Sequence, residues 1–332
     1  MDFFLLAPEI SLATLAVAVV LLDLVVTRKE WVIALSVAGL LAPAGFALSL
    51  WGRQATSFHD ILVVDEFSIF FKLLLLAIAG LVLLSSGDYL ARRGRSLGEY
   101  CGLVLFATLG MSFLASTREL ITIYISLEMT SLSLYALSGY LRDARSTEAG
   151  LKYLVFGAIS SALLLYGIAL VFGLTGTTYL QDILVRLTPI RLFDSPALLV
   201  AVILMTAGFG FKIATVPFQM WLPDVFEGAP VPVVAFVSAA SKAAGFAVVL
   251  RVFHDALGNY SVDWSGIFAV LAAFSMTVGN LVAIAQSNIR RMLGYSTIAH
   301  VGYIMVGLAA VSTLGQSGIL FFLAAYSLAN LA

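Results

Sequence analysis

Four titratable side chains lie deep inside apolar runs: Glu128, Lys212, Lys242 and His300. A charge at mid-membrane costs roughly 2.5–3.5 kcal/mol on insertion scales, so each is a functional candidate. The chemistry open to one carboxylate, two lysines and an imidazole is proton transfer. At pH 7 Lys212 exchanges a proton only if its surroundings offset about 4.6 kcal/mol, given an ordinary lysine value near ~10.4. A carboxylate close by holds the proton on the lysine, and moving it away releases the proton. Glu128 and Lys212, at adjustable separation, therefore read as a proton gate.

Each candidate has small or hydroxylated neighbours at three- and four-residue spacing, hence on its own helix face. Glu128 has Tyr124, Ser131 and Tyr135, and Lys212 has Gly208 and Thr215, with Gln219 further on. Lys242 has Ser238 and Gly245; His300 has Ser296, Tyr303 and Gly307. Such stripes leave room for water and are read as lining a hydrated path. Pro217 follows Lys212 by five residues. Lacking an N–H, it is expected to break the helix and free the Ile213 carbonyl. Irregular backbone at this depth is tolerated where it is buried in protein or lines a cavity.

Plainer readings stand beside these. Glu128 and Lys212 could be a static ion pair, Lys242 a partner for carbonyls at the break, and His300 hydrogen-bonded packing. Lys72, near the outer end of its run, is expected to snorkel. Asp224 and Glu227 read as a solvated helix end. His59, His254 and the loop arginines read as solvated or interfacial.

The elements that must position these groups are membrane helices. Of 332 residues 61% are hydrophobic and 11% charged, against about 25% charged in soluble domains. Runs long enough to cross a bilayer, about 20 residues each, recur at 5–22, 31–50, 67–86, 100–116, 119–140, 151–174, 197–226, 229–254, 264–286, 290–311 and 315–332. The seventh is too long for one straight helix and holds Pro217 and Pro223. The fold expected is all-α and polytopic, about eleven spans with a broken helix 7. Glu128, Lys212, Lys242 and His300 then fall near the centres of four different spans. The first run has no basic flank or cleavage site and reads as a retained helix. The last reaches Ala332 without a polar tail, so the sequence reads as part of a longer one.

Orientation follows from the basic residues. Loops after odd-numbered spans hold Arg28, Lys29, Arg92, Arg93, Arg95, Arg142, Arg145, Lys152, Arg290 and Arg291; the even set is Arg53, Arg118, Arg186, Arg191 and Arg251. Ten against five places the odd loops in the cytoplasm and the N-terminus outside. An offset of 168 residues pairs Tyr135 with Tyr303, Gly139 with Gly307 and Gly150 with Gly318, a faint five-helix repeat. Two copies of an odd-numbered unit would be inverted in the membrane. The chain divides accordingly into 1–99, three leading spans; 100–254, a first repeat; and 255–332, the start of a second.

The net charge of −1 gives no footing for nucleic acid. The single cysteine, Cys101, excludes a cysteine-held cluster, and a count of three histidines argues against a haem or multi-histidine metal site. No metal or cofactor site is expected in this chain.

The stretch "FKIATVPFQMWLPDVFEGAPVPVVAF" (211–236) resembles the broken-helix signature of the antiporter-like subunits of respiratory complex I, the proton-pumping NADH–quinone oxidoreductase. So do "YISLEMTSLSLYALSGYL" (124–141), "SAASKAAGFAVVLRVF" (238–253) and "SNIRRMLGYSTIAHVGYIMVGL" (287–308). The form "LEMTSLSLYAL" resembles the subunit N branch. The resemblance covers essentially the whole chain. It implies fourteen helices in two inverted five-helix repeats, each with a broken helix. It makes Glu128 the helix-5 carboxylate, Lys212 the broken-helix lysine, Lys242 the connecting lysine and His300 the central polar group of the second repeat. It also implies that NADH, FMN, iron–sulfur clusters and quinone belong to other subunits. Partners would be sister antiporter-like and small membrane subunits in a bacterial inner membrane. Many relatives carry histidine after "VPF" where this chain has Gln219, which hydrogen-bonds but does not titrate, and Phe226 replaces a common tyrosine. The function implied is proton translocation coupled to electron transfer in partner subunits. The alternative is a subunit of a multisubunit sodium/proton antiporter or a membrane-bound hydrogenase-type complex.

Overall fold

The computed structural model describes residues 3–26, 30–93 and 96–331. Within them eleven helical segments are long and apolar enough to cross a membrane: Phe3–Val25, Trp31–Ser49, Glu66–Ala91, Leu97–Ser116, Leu120–Ser138, Ala144–Thr175, Pro196–Ile213, Val231–Ala256, Gly258–Ile284, Ile289–Ala309 and Thr313–Leu331. They follow the expected runs. Arg28, Lys29 and Arg95, used in the charge count, lie outside the described residues.

The helices begin where a side chain can satisfy the free amides of a first turn. α4 (Glu66–Ala91) starts on a capping box, with Ser68 N donating to Asp65 Oδ1 at 2.8 Å and Asp65 N to Ser68 Oγ at 3.1 Å. α6 (Leu120–Ser138) is capped by Glu119, which accepts from Ile121 N at 3.0 Å and Thr122 N at 2.6 Å. Asp143 accepts from Ser146 N at 2.8 Å to start α7 (Ala144–Thr175). Leading these are α1 (Ala7–Val25), the pair α2 (Glu30–Gly39) and α3 (Leu41–Ser49), and later α5 (Leu97–Ser116).

The span Val231–Ala256 is the axis of the bundle, with 89% of its window buried, whereas Gly258–Ile284 and Thr313–Leu331 are buried over only 22%. It is not a uniform α-helix. α11 (Val231–Phe236) passes through a π turn (Val237–Ser241) into α12 (Lys242–Arg251), and a second π turn follows at Val252–Ala256. Such turns insert a residue into the helical ladder and cluster at functional sites.

Two small elements depart from the all-helical expectation. β1 (Ala55–Ser57) and β2 (Leu62–Val64) pair antiparallel, Thr56 opposite Val63, around a tip whose Phe58, His59 and Asp60 have φ of 54°, 56° and 67°. α8 (Leu180–Leu187) is a short helix between spans with Leu180, Ile183 and Leu187 turned inward. Both lie at one end of the bundle, tied by Arg118 N to Ile61 O at 2.9 Å and Leu180 N to Arg118 O at 3.0 Å.

The seventh span is interrupted. α9 (Pro196–Ile213) ends with Ala214 left-handed at φ 62°, and α10 (Trp221–Gly228) resumes seven residues on. Thr215 N donates to Gly210 O at 2.9 Å and Ala214 N to Phe211 O at 3.1 Å, the Schellman pattern of a helix C-terminus. The expectation that Pro217 makes the break is therefore corrected. The chain leaves the helix three residues earlier, and Pro217 lies exposed in the linker. Beyond it run α13 (Ser261–Ile284), α14 (Ile289–Ala309) and α15 (Thr313–Leu331).

Candidate functional site

Lys212 is the penultimate residue of α9 and is 2% exposed. The Schellman turn directly after it ends the helix there, so the side chain leaves from a terminus deep in the bundle. Its Nζ donates to Ser131 Oγ on α6 at 3.0 Å, and Ser131 donates in turn to Leu127 O at 2.6 Å. Glu128, one turn before Ser131, is half-buried and accepts from Ser161 Oγ on α7. Carboxylate and ammonium are thus in Coulombic range but not in contact, each held by its own serine. Ser131 and Ser161, with Tyr135 and Lys212, border a cavity of about 10 Å³, close to the ~10–15 Å³ that one water needs. Tyr124 is half-buried one turn before Glu128.

Glycines let these helices close on the site. A Cβ on Gly157 of α7 would collide with Tyr135 Oη, and one on Gly245 of α12 would lie 2.8 Å from Ile213 Cγ2 and 3.8 Å from Lys212 Cγ. Gly245 is three residues after Lys242, so α12 lies against the Lys212 stem and carries the second lysine beside the first.

Lys242 directly follows the π turn and is fully buried. Its Nζ lies 5.1 Å over the Trp221 ring and makes no hydrogen bond among the described residues. Trp221 opens α10, donates Nε1–H to Phe211 O across the break at 3.1 Å, and stacks on Tyr153 at 4.1 Å with 2° between the planes. Tyr153 meets Tyr135 edge-on at 4.7 Å. Ser238, within the π turn, bonds back to Ala235 O at 2.9 Å.

The linker is held from the opposite side. Ser275 Oγ of α13 contacts Thr215 Oγ1 at 2.9 Å and accepts from Val216 N at 3.0 Å. Gln219 is half-buried there, its Oε1 without a hydrogen-bond partner among the described residues.

His300 stands in a separate aromatic group on α14 and α15, 5.4 Å from Tyr303, 5.2 Å from Tyr326 and 6.0 Å from Phe322 between centroids. Its Nδ1 is buried without a hydrogen-bond partner among the described residues. Tyr326 donates to Thr297 at 3.0 Å, Tyr303 accepts from Asn280 at 3.1 Å, and Ser296 is half-buried one turn before His300.

Three expectations about charges are corrected. Lys72 does not snorkel: it pairs with Glu9 of α1 at 2.7 Å, both 2% exposed. Inward-facing Glu9 outbids the distant interface. Arg251 is not a loop residue but 6% exposed, donating to Asp65 at 2.7 Å and to Ala115 O at 3.1 and 3.2 Å. Removing it leaves the even set with four members of the original five. Burial works against the Asp65 charge, but Arg251 and Ser68 hold its carboxyl below the usual range. Asp224 and Glu227 are not simply solvated. Asp224 binds Lys152 at 2.9 Å and Arg291 at 2.7 Å, and Glu227 binds Arg291 at 2.9 Å. Partial burial is again outweighed, so Asp224 stays below the ordinary carboxylate range.

Sequence reasoning missed Trp221, Tyr153, Ser161, Ser275 and Glu9. Ser161 and Ser275 give no signal, being small residues in apolar helices. Glu9 does: it is an acid in the first turn of a long apolar run.

Helices of membrane-spanning length around buried acids and lysines define a polytopic membrane protein with titratable groups in its core. The family model described as NADH:quinone oxidoreductase/Mrp antiporter, transmembrane, matches residues 117–332. NADH-quinone oxidoreductase subunit N of Trichlorobacter lovleyi is 44% identical over 98% of this chain and 67% of the relative. A chain in respiratory complex I from Thermus thermophilus is 37% identical with a TM-score of 0.81, covering 98% of this chain and 68% of that one. An archaeal membrane-bound sulfane sulfur reductase shares the fold at 24% identity, with a TM-score of 0.83 over 99% and 68%. The chain belongs to the NADH:quinone oxidoreductase/Mrp antiporter transmembrane family.

Proposed function

We propose that this chain is a proton-translocating membrane subunit of an NADH–quinone oxidoreductase. The observation carrying the reading is the group at the helix break: Lys212 on Ser131, Glu128 alongside, and Lys242 buried without a hydrogen-bond acceptor. A group that moves protons must hold a charge in one state and lose it in another without collapse of its surroundings. A serine-bound lysine with a carboxylate near but not touching has that freedom. If Glu128 moves toward Lys212 the ammonium is favoured; if it withdraws, the proton passes on.

In this reading the proton moves from Lys212 to Lys242 and on toward His300. Pro217 and Gln219 lie in the linker, while Tyr124, Ser131, Thr215, Ser238, Ser296 and Tyr303 line the route. The repeats at 100–254 and 255–332 are inverted copies, the N-terminus is outside, and the membrane is a bacterial inner membrane. NADH oxidation with FMN and iron–sulfur clusters, and quinone reduction, take place in partner subunits. This chain contributes a translocase step without redox chemistry. Identity to subunit N relatives over nearly the whole chain favours this over a sodium/proton antiporter subunit.

Lys212→Ala and Glu128→Gln in the assembled complex are expected to lower protons pumped per NADH while NADH oxidation by the electron-transfer subunits persists. The measurement is dye-reported acidification of inverted vesicles at matched NADH oxidation. Wild-type stoichiometry in both variants refutes the reading. Stimulation of ion transport by sodium in those vesicles would favour the antiporter alternative.

A further inference from the structure

Lys242 poses a physical problem that its hydrogen bonds do not solve. Its ammonium has three N–H donors, the side chain is fully buried, and among the described residues no acceptor is bonded to it. The contact that remains is the Trp221 ring face at 5.1 Å. A desolvated ammonium is attracted to the negative face of an indole ring. The indole is fixed from two directions. Tyr153 is stacked against it at 4.1 Å, and Nε1–H is bonded to Phe211 O at 3.1 Å, the carbonyl preceding Lys212. Trp221 therefore touches the helix end that carries one lysine and faces the ammonium of the other.

We propose that Trp221 is a positioning residue for proton transfer, its ring face being the seat that makes protonated Lys242 accessible as an intermediate. The inference rests on the proton route proposed above. In the step, an N–H bond at Lys212 breaks and one forms at Lys242, whose nitrogen lone pair takes the proton. Lys212 becomes neutral and Lys242 cationic, with no change in total charge. Without the ring face, the cation forms in a buried site where, among the described residues, no hydrogen-bond acceptor holds it. Trp221 also belongs to α10, the half-helix after the break. A shift of α10 relative to α9 would move the seat and break the Phe211 bond together, so break geometry and Lys242 charge change as one.

The test replaces Trp221 with its mono-, di- and tetrafluorinated analogues by nonsense suppression in the assembled complex. Fluorine withdraws electron density from the ring face and leaves its shape nearly unchanged, so folding is preserved. Pumping at matched NADH oxidation is expected to fall stepwise with fluorine count, by about tenfold at tetrafluoro-tryptophan. Trp221→Phe, which keeps a ring face, should retain more activity than Trp221→Leu. A flat series, or equal pumping by Trp221→Phe and Trp221→Leu, overturns the proposal. Full pumping by Lys242→Met alone instead refutes the underlying route, so the two failures are distinguishable.

Discussion

Replacing Lys72 with methionine leaves Glu9 facing an apolar neighbour inside the bundle. The two groups are 2.7 Å apart and each 2% exposed. Among the described residues neither Glu9 oxygen makes a hydrogen bond, so the ammonium balances the charge. At that distance the gross attraction is about 6 kcal/mol for an effective dielectric of 20. Breaking one side of a buried pair typically costs ~3–5 kcal/mol. Lys72→Met is therefore expected to destabilise the α1–α4 contact by about 3–5 kcal/mol at pH 7. Glu9→Gln combined with Lys72→Met should recover most of this, since two neutral groups replace two compensated charges. The assay is thermal or SDS-induced unfolding of the detergent-solubilised protein, single variant against double. If the two agree within ~1 kcal/mol, the pair does not balance charge there and the reasoning is wrong.

Two further outcomes are expected. Gly157→Ala places a methyl on the Tyr135 phenol and pushes it toward the Tyr153–Trp221 stack, so a loss of about 1–3 kcal/mol should register as a lower Tm. Asp65→Asn keeps a helix cap but removes the charge that Arg251 and Ser68 stabilise. Because the folded carboxyl is held low, its contribution is complete above the unfolded value near ~3.9 and disappears as pH falls through the folded one. The stability gap between wild type and Asp65→Asn should be flat from pH 8 to pH 5, about 2–4 kcal/mol, and narrow below pH ~4. A gap unchanged at pH 3 would contradict the ion pair.

The spans were readable because runs of about 20 apolar residues have few other uses, but their ends were less so: α7 starts from the Asp143 cap at Ala144, seven residues ahead of the run read at 151–174. The break was legible in place but not in cause. Proline draws attention, whereas the left-handed Ala214 that ends α9 has no signature in its residue type. Glu128, Lys212 and Lys242 stood out because charge is rare at depth. Their partners did not, since a serine on an apolar helix looks the same whether it faces lipid or a lysine. Lys72 was misread for a related reason: the distance of a lysine from a helix end says nothing about whether an acid on another helix faces it. Glu9, 63 positions away in the sequence, could be matched to it only in three dimensions.

Ser275 gives the helix break a history in time as well as a shape. Its hydroxyl accepts Val216 N–H and contacts the Thr215 hydroxyl, yet it lies on α13, about sixty residues downstream. A chain made from its N-terminus produces the linker well before the residue that satisfies it. Until α13 arrives, the amide of Val216 must find some other acceptor or go unmatched in an apolar setting. The Lys212 end of α9 is thus finished late, and its final form is set by an element synthesised two spans afterward. A change at Ser275 would reach the lysine through assembly order, without touching any titratable group.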